Sequence, residues 1–234
     1  MLNLREALQS RPYPGRGVLL GRLSTGTPVG AYFLTGRSMS SRARRLVRHE
    51  ASDIEIADTS GGPHDDLRHY LAVVERGPWL VFGNGDQVEP LATALAAGSS
   101  VTSAWAAHSY EPDPPIYTPR IWAAWNRHNS LPPLLGSARR SDRSDGAVDR
   151  VAWNCEITVA GDAVLLTTYN GTTTEVRTTR EPLDVSSKAG SVEQLADDIW
   201  SALAPDLRVG AIAFELENVG GTVTMRCEVP LSPE

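Results

Sequence analysis

Apolar residues along the chain occur mainly in short runs, which are separated by turns rich in Gly, Pro and polar residues. Short runs that contain many β-branched and aromatic residues are typical of strands. The runs at 18–23 and 29–34 flank a Ser-Thr-Gly-Thr-Pro turn and are predicted to form a hairpin. The other predicted strands are an isolated one at 54–56 and three pairs at 70–75 with 79–83, 151–159 with 163–169, and 209–215 with 222–229.

Helical patterns occur at both ends of the chain and in its middle. The predicted helices cover residues 1–9, 88–97, 101–108 and 191–203. Ser191 and Gln194 form a variant of the capping box at the start of the last one. One face of that helix is apolar and carries Val192, Leu195, Ala196, Ile199 and Leu203.

Strands that follow one another in hairpins, with helices inserted between them, favour an α+β or layered sandwich architecture over a strictly alternating βαβ chain. The chain has 234 residues, 41% of them hydrophobic, and one domain over residues 1–234 is predicted. Residues 137–150 are rich in Arg and Asp and are predicted to form a mobile surface loop. Residues 172–190 are polar and carry no clear pattern.

Composition and charge narrow the possible partners. The net charge of −6 gives no general attraction to nucleic acid or acidic membranes, so neither is expected as a partner. No apolar run approaches membrane-spanning length, and the first residues lack a signal-peptide pattern, which indicates a cytoplasmic protein. Cys155 and Cys227 show no metal-ligand spacing and are interpreted as ordinary buried thiols. Lys188 is the only lysine, so an anion site would depend on arginines or backbone amides.

Motifs for several common chemistries are absent from the sequence. It has no Rossmann fingerprint, no P-loop and no Gly-x-Ser-x-Gly elbow. Asp65-Asp66 is interpreted as a solvated turn rather than a magnesium site. A zinc site is not predicted, because no metal-binding spacing connects His49, His64, His69, His108 and His128. No metal or cofactor is therefore expected.

The stretch 110–121, Tyr-Glu-Pro-Asp-Pro-Pro-Ile-Tyr-Thr-Pro-Arg-Ile, stands between apolar segments near the middle of the chain. Its four prolines exclude a helix or a central strand. A stiff loop that carries Glu111, Asp113, Tyr117 and Arg120 suits a small polar ligand. A proline-rich surface connection is the alternative.

Arg37-Ser-Met-Ser-Ser-Arg42 places two arginines around small hydroxyl residues directly after a predicted strand. Arginine forks with hydroxyls and loop amides form a good phosphate site, and a basic surface loop is the alternative. The segment Asn84-Gly-Asp-Gln87 is, by itself, a tight turn. Tyr70, at the start of a predicted strand, is typical of a half-buried aromatic residue.

Taken in order, these pieces resemble the archaeal-type IMP cyclohydrolases over nearly the whole chain. The most specific matches are the Tyr-Glu pair at 110–111 and Thr-Pro-Arg-Ile at 118–121. The other matching pieces are Gly21-Arg22, the segment 37–42, Tyr70, the segment 83–85, Asp113, Thr168-Tyr169 and the segment 196–203. The resemblance implies a fold similar to the N-terminal nucleophile hydrolases: a four-layer α-β-β-α sandwich of two antiparallel sheets with outer helices. Met1-Leu2 offers no terminal Cys, Ser or Thr nucleophile, so the scaffold is implied without autoprocessing.

The resemblance also implies a cyclohydrolase in purine biosynthesis. Such an enzyme closes the ring of formylated aminoimidazole carboxamide ribotide to IMP with loss of water, and needs neither metal nor folate. The resemblance assigns catalysis to Arg42, Tyr70 and Glu111. Glu111 would move a proton at the amide or at the departing oxygen, and Tyr70 would orient or protonate the formyl oxygen. Arg42 would hold the oxyanion or keep the neighbouring groups ionised. The residues implied to bind the ribotide are Arg37, Ser38, Asn84, Gly85, Thr118 and Arg120.

The chain departs from the family pattern at two places. Leu71 replaces an asparagine, which removes an amide that could bind the base, and Met39-Ser40-Ser41 replaces a bulkier Phe-Pro-Asn. Two alternatives therefore stay open: a paralogue that acts on a different purine-like ribotide or nucleoside, and a nucleotide-binding protein without catalysis. The resemblance also makes a homo-oligomer plausible.

Overall fold

Two β-sheets form the centre of the protein, in a computed structural model that describes residues 1–49, 52–63, 65–128 and 131–227. The described strands are β1 (Leu2–Asn3), β2 (Arg16–Arg22), β3 (Pro28–Thr35), β4 (Arg44–Arg48), β5 (Ile54–Asp58), β6 (Tyr70–Arg76), β7 (Trp79–Gly83), β8 (Arg120–Asn126), β9 (Leu134–Arg140), β10 (Val148–Asn154), β11 (Asp162–Thr167), β12 (Leu183–Ser186), β13 (Arg208–Glu215) and β14 (Val223–Cys227). The described helices are α1 (Leu4–Gln9), α2 (Met39–Arg42), α3 (Val88–Ala96), α4 (Val101–Trp105) and α5 (Val192–Ala202).

Each sheet has seven strands. The first sheet has the order β1-β12-β11-β2-β3-β13-β14, and the second has the order β10-β9-β8-β7-β6-β5-β4. Neighbouring strands are antiparallel except β1 and β12, which are parallel. Because β13 pairs with β3, residues late in the chain complete the middle of the first sheet.

The sheets pack face to face, and helices cover their outer faces. The inner faces share one apolar cluster, in which the rings of Phe82 and Phe214 meet edge to face at 5.1 Å. Helices α1 and α5 bury residues such as Leu8 and Ile199 against the first sheet. Helix α3 and Trp105 of α4 pack on the second sheet. The predicted α+β, four-layer sandwich is confirmed.

Several local predictions are also confirmed. The hairpin of β2 and β3 and the pair of β6 and β7 lie where the apolar runs place them. The hydroxyl of Ser191 accepts a hydrogen bond from the Gln194 amide at 3.2 Å and caps α5. The Gln194 side chain, however, accepts from the amide of Gly190, so the capping box is not reciprocal. The closing strand predicted at 222–229 is described as β14, and residues 228–229 lie outside the described part.

The predictions for the segment from 137 to 169 are partly wrong. Residues 137–150 are not one mobile loop, because β9 and β10 form a hairpin whose strands contain half of them. Ion pairs such as Arg143 with Asp149 satisfy the charges across this hairpin, so a charged composition is compatible with strands here. The predicted pairing of 151–159 with 163–169 is also wrong, since β10 pairs with β9 and β11 pairs with β2 and β12 in the other sheet.

Two further findings concern the polar segment 172–190 and the cysteines. The segment contains β12, which places Val185 in the apolar layer beneath α1 and α5. Cys155 is buried as expected, whereas Cys227 is exposed on β14, contrary to the prediction, and both thiols are free. Among the described residues, no helix is long and apolar enough to cross a membrane.

Candidate active site

One end of the sandwich contains an open cleft of about 420 Å³ between the two sheets. Residues from the ends of β2, β3 and β4 line it, together with residues from the proline-rich stretch 110–119. Its wall contains arginines, serine hydroxyls, three carboxylates and two phenols. The chemistry of the cleft is therefore polar, although an apolar core lies directly beneath it.

Glu111 is the most deeply buried acidic residue of the cleft, with 1% of its surface exposed. Its Oε2 lies 3.2 Å from Arg16 Nη2, and its Oε1 accepts a hydrogen bond from Asn84 Nδ2 at 2.7 Å. Burial raises the pKa of the Glu111 carboxyl above its ordinary value, although the charge of Arg16 opposes the shift. A carboxyl with a raised pKa can donate a proton nearer to neutral pH than a free glutamic acid.

The proline-rich stretch holds Glu111 by folding back on itself. The Glu111 amide donates to the carbonyl of Thr118 at 2.8 Å, and the Thr118 amide donates to Asp113 Oδ1 at 2.7 Å. Tyr117 takes a left-handed conformation with φ of 53°, and the guanidinium of Arg140 lies 4.5 Å from its ring centre. The stretch is therefore a structured loop that positions a carboxylate, as the ligand-binding interpretation requires.

Asn84 connects this loop to the second sheet. It follows β7, is fully buried, and donates a further hydrogen bond to the Pro119 carbonyl at 3.2 Å. Its Oδ1 accepts from the amide of Ile121 at 2.7 Å. Gly85, with φ of +93°, makes the turn that follows. The tight turn at 84–87 thus contains a buried amide, that of Asn84, which holds the Glu111 carboxylate by a hydrogen bond.

Two arginines, the buried Arg44 and the partly buried Arg16, lie with the buried Glu111 at the base of the cleft. Arg44 is 2% exposed, and its guanidinium donates to the carbonyls of Ser41 at 2.7 Å and Thr35 at 3.3 Å. Within the described residues it forms no ion pair, whereas Arg16 pairs with Glu111. Burial and the charge of Arg16 lower the pKa of Arg44. The surplus of positive charge suits an anionic ligand.

Hydroxyl groups lie next to this positive charge. Ser38 caps the short helix α2 by accepting a hydrogen bond from the Ser41 amide at 3.1 Å, and its Oγ is 3.1 Å from Ser40 Oγ. These three serines line the cleft beside Arg37. Arg37 is exposed and donates to the Thr173 carbonyl at 2.9 Å. Arg37 and Ser38 thus lie at the cleft, where the phosphate-site interpretation would have them.

Other predicted site residues lie away from the cleft wall. Arg42 is exposed and donates to the Asp206 carbonyl at 2.9 Å. Arg120 forms an ion pair with Asp86 at 2.6 Å. The hydroxyl of Tyr70 lies 2.8 Å from that of Tyr32 within the inner core. Leu71 packs in the outer cluster beneath α3 and faces away from the cleft.

Thr118 and Tyr169 form a hydrogen-bonded pair at the cleft. The Thr118 hydroxyl is buried and contacts both the Asp113 carboxylate and the phenol of Tyr169. Tyr169 and Asp113 line the cleft, while Thr118 lies behind them.

Sequence reasoning missed Arg16 and Arg44 as cleft residues, although a signal for them was present. Successive side chains of a strand alternate between its two faces. Arg16 is two positions before the inward-facing Val18, and Arg44 is two positions before the inward-facing Leu46. A polar residue at the end of a strand, at a position whose side chain faces the other sheet, therefore indicates where the apolar core gives way to a polar site.

The site is thus a buried, arginine-paired carboxylate in a polar cleft at one end of a layered α+β sandwich, an arrangement that suits an enzyme acting on a small molecule. A family model described as IMP cyclohydrolase-like protein matches residues 13–219, and the chain belongs to that family. The family resemblance of the sequence is thereby confirmed.

A curated relative is the protein named IMP cyclohydrolase from Methanopyrus kandleri. It is 34% identical to this chain over 113 residues. The match covers 47% of this chain and 56% of the relative, so it spans just over half of the relative's length.

Proposed function

We propose that this protein closes the purine ring of formylated aminoimidazole carboxamide ribotide and yields IMP and water. The observation that carries the proposal is the buried Glu111 carboxyl, fixed by Arg16 and Asn84 in a cleft with surplus positive charge. Family membership and the name of the archaeal relative support the choice of reaction.

In this reaction the carboxamide nitrogen attacks the formyl carbon, and the formyl oxygen leaves as water. The weak nucleophile needs to be positioned, and the oxygen needs a proton. Glu111 supplies that proton, because its burial favours the protonated carboxyl. The attacking carboxamide nitrogen gives the oxygen its other proton. After water leaves, Glu111 recovers a proton from the formamido nitrogen bound to the imidazole, so both protons of the water are accounted for.

The phosphate of the ribotide would be held by Arg37 and by the serine hydroxyls at 38–41. We assign the oxyanion role to Arg44 rather than Arg42, because Arg44 lines the cleft and Arg42 donates to Asp206. Tyr70 does not line the cleft. It would influence the reaction indirectly, through its electrostatic interaction with Arg16 and Arg44.

The altered-substrate alternative is weakened by the position of Leu71. Its side chain packs in the outer cluster, so the loss of an asparagine there removes no amide from the cleft. Nucleotide binding without catalysis is the remaining alternative, and the retained Glu111 pair argues against it.

The test is to mix the purified protein with the formylated ribotide and to follow IMP by chromatography. Glu111→Gln keeps the size of the side chain and removes its proton, so we expect turnover to fall at least about a hundredfold while ribotide binding persists. The matched control is Glu156→Gln, an exposed carboxylate near Arg22 at the opposite end of β2, which should keep wild-type turnover. Absence of IMP formation by the wild-type protein would refute the proposal, and full activity of Glu111→Gln would refute the assigned role.

A further inference from the structure

The cleft contains a second hydrogen-bonded group that the proton transfer by Glu111 does not use. The hydroxyl of Thr118 lies 2.5 Å from Asp113 Oδ2 and also contacts the phenol oxygen of Tyr169. Both ends of this chain, Asp113 and Tyr169, line the cleft. Thr118 is fully buried, so no solvent molecule competes for its hydroxyl.

The direction of these hydrogen bonds follows from counting protons. An ionised carboxylate can only accept, and Asp113 accepts from both the amide and the hydroxyl of Thr118. The single hydroxyl proton of Thr118 is therefore directed at Asp113. The Thr118 oxygen can then only accept a hydrogen bond from Tyr169. The phenol proton of Tyr169 is therefore donated to Thr118. What Tyr169 offers to a ligand in the cleft is an oxygen lone pair.

The position of the Tyr169 ring is fixed by its surroundings. The ring stacks on Tyr13 with 5.3 Å between centres, and the Tyr169 amide donates to the Pro14 carbonyl at 3.1 Å. Gly15, with φ of +72°, lets the ring approach so closely that a Cβ there would lie 2.4 Å from it. Burial raises the pKa of Tyr169 to about 12, so the phenol keeps its proton in neutral solution.

We propose that Tyr169 is an obligate hydrogen-bond acceptor that selects ligands with an N–H group at this point of the cleft. The inference rests on the proposed function, in which that group is the carboxamide NH2 of the ribotide, the nucleophile of the ring closure. Tyr169 would hold one N–H and leave the nitrogen lone pair directed at the formyl carbon. Thr118 and Asp113 are positioning residues, since they act through Tyr169.

Because Tyr169 can only accept a hydrogen bond from the ligand, the cleft should discriminate between a carboxamide and a carboxylate at the same ring position. A carboxamide donates to the Tyr169 oxygen, whereas a carboxylate presents a second acceptor to it. A site built for a donor rejects an acceptor because both buried oxygens are left without a proton. The preference for the carboxamide should be at least about tenfold, which corresponds to the loss of one such hydrogen bond.

The experiment is calorimetric titration with two probes, aminoimidazole carboxamide ribotide and the same ribotide with a carboxylate in place of the carboxamide. Thr118→Val keeps the shape of the side chain and removes its hydroxyl, which frees the Tyr169 proton to turn toward the ligand. We expect the carboxamide preference to fall several-fold in Thr118→Val and to be kept in Thr118→Ser. Any charge repulsion between a carboxylate and the acidic residues of the cleft is common to both variants and cancels in this comparison.

Tyr169→Phe provides a second variant in case Thr118→Val does not fold, which thermal unfolding would reveal. It keeps the ring on Tyr13, removes the acceptor, and should also reduce the preference. Equal wild-type affinity for the two ribotides, or an undiminished preference in Thr118→Val or Tyr169→Phe, would overturn this inference alone. Failure of the wild-type protein to bind either ribotide would overturn the inference together with the proposed function.

Discussion

Glu111 shows how a loop residue becomes a buried acid. Its two carboxylate oxygens have different partners, since Arg16 is a cation and Asn84 is a neutral amide that is itself bound to the backbone. Glu111 raises the pKa of Arg16 well above its ordinary value even though burial lowers it, so the arginine stays charged. The carboxyl is the member of the pair whose protonation changes with pH.

The pH dependence of the free energy of unfolding should report the protonation of Glu111 directly. Because the pKa of Glu111 is raised above its ordinary value of 4.5, the folded state holds its proton more tightly than the unfolded state. The free energy of unfolding of the wild-type protein, relative to Glu111→Gln, should therefore fall as pH increases from 4.5 toward the raised pKa, by at most about 1.4 kcal/mol per pH unit.

Urea unfolding of both proteins at a series of pH values measures the difference. Glu156→Gln, at an exposed position, controls for the general effect of removing one carboxylate. A relative stability that increases with pH over the same window would mean that Arg16 outweighs burial, and would remove Glu111 as a proton donor.

How far the site could be predicted depends on the kind of residue. Glu111, Arg37 and Ser38 could be proposed from the sequence because they lie in short motifs of polar residues, and all three line the cleft. Arg16 and Arg44 come from different strands, and only the sheet order brings them together beside Glu111. The family motif points to Arg42, and it does not show that the Arg42 side chain donates to the Asp206 carbonyl instead of lining the cleft.

At the level of elements, the hairpin of β9 and β10 shows where composition misleads. Its many charges predict a mobile loop, but the charges pair across and beside the strands while Ala138 is buried beneath α4. The strand pairs with larger apolar content, such as β2 with β3, could be predicted because a single turn fixes their register. No local signal shows that β10 and β11 belong to different sheets.

A glycine on β9 tests this packing. Gly136 lies opposite Trp122 of β8, and a Cβ at Gly136 would lie 2.1 Å from the indole. Gly136→Ala must displace a buried tryptophan, so we expect a loss of about 1–3 kcal/mol in the free energy of unfolding.

Chemical denaturation measures the effect, with Gly220→Ala as the matched control. A Cβ at Gly220 meets nothing within 4 Å, so that change should stay within about 0.5 kcal/mol. Similar stabilities of the two variants would contradict close packing of β9 on Trp122.

At the scale of the whole molecule, the two sheets are joined by an apolar core that the cleft interrupts only at one end. The Phe82–Phe214 pair connects the sheets directly. In a double-mutant cycle with Phe82→Leu and Phe214→Leu, we expect a coupling energy of about 0.5–1.5 kcal/mol in urea unfolding.

The control cycle combines Phe82→Leu with Phe33→Leu, because Phe33 lies on the outer face of the first sheet. That cycle should show a smaller coupling. Equal coupling in the two cycles would mean that the measured energy reflects a general loss of core volume rather than contact between the sheets.

The position of β13 between β3 and β14 has a consequence for synthesis on the ribosome. The middle of the first sheet needs residues 208–215, so β3 has an open edge while most of the chain, including Arg16 and Glu111, has already been translated. An unpaired edge of this kind is a template for pairing with other chains. We therefore expect the edge of β3 to be open to pairing with other chains until residues 208–215 have been translated.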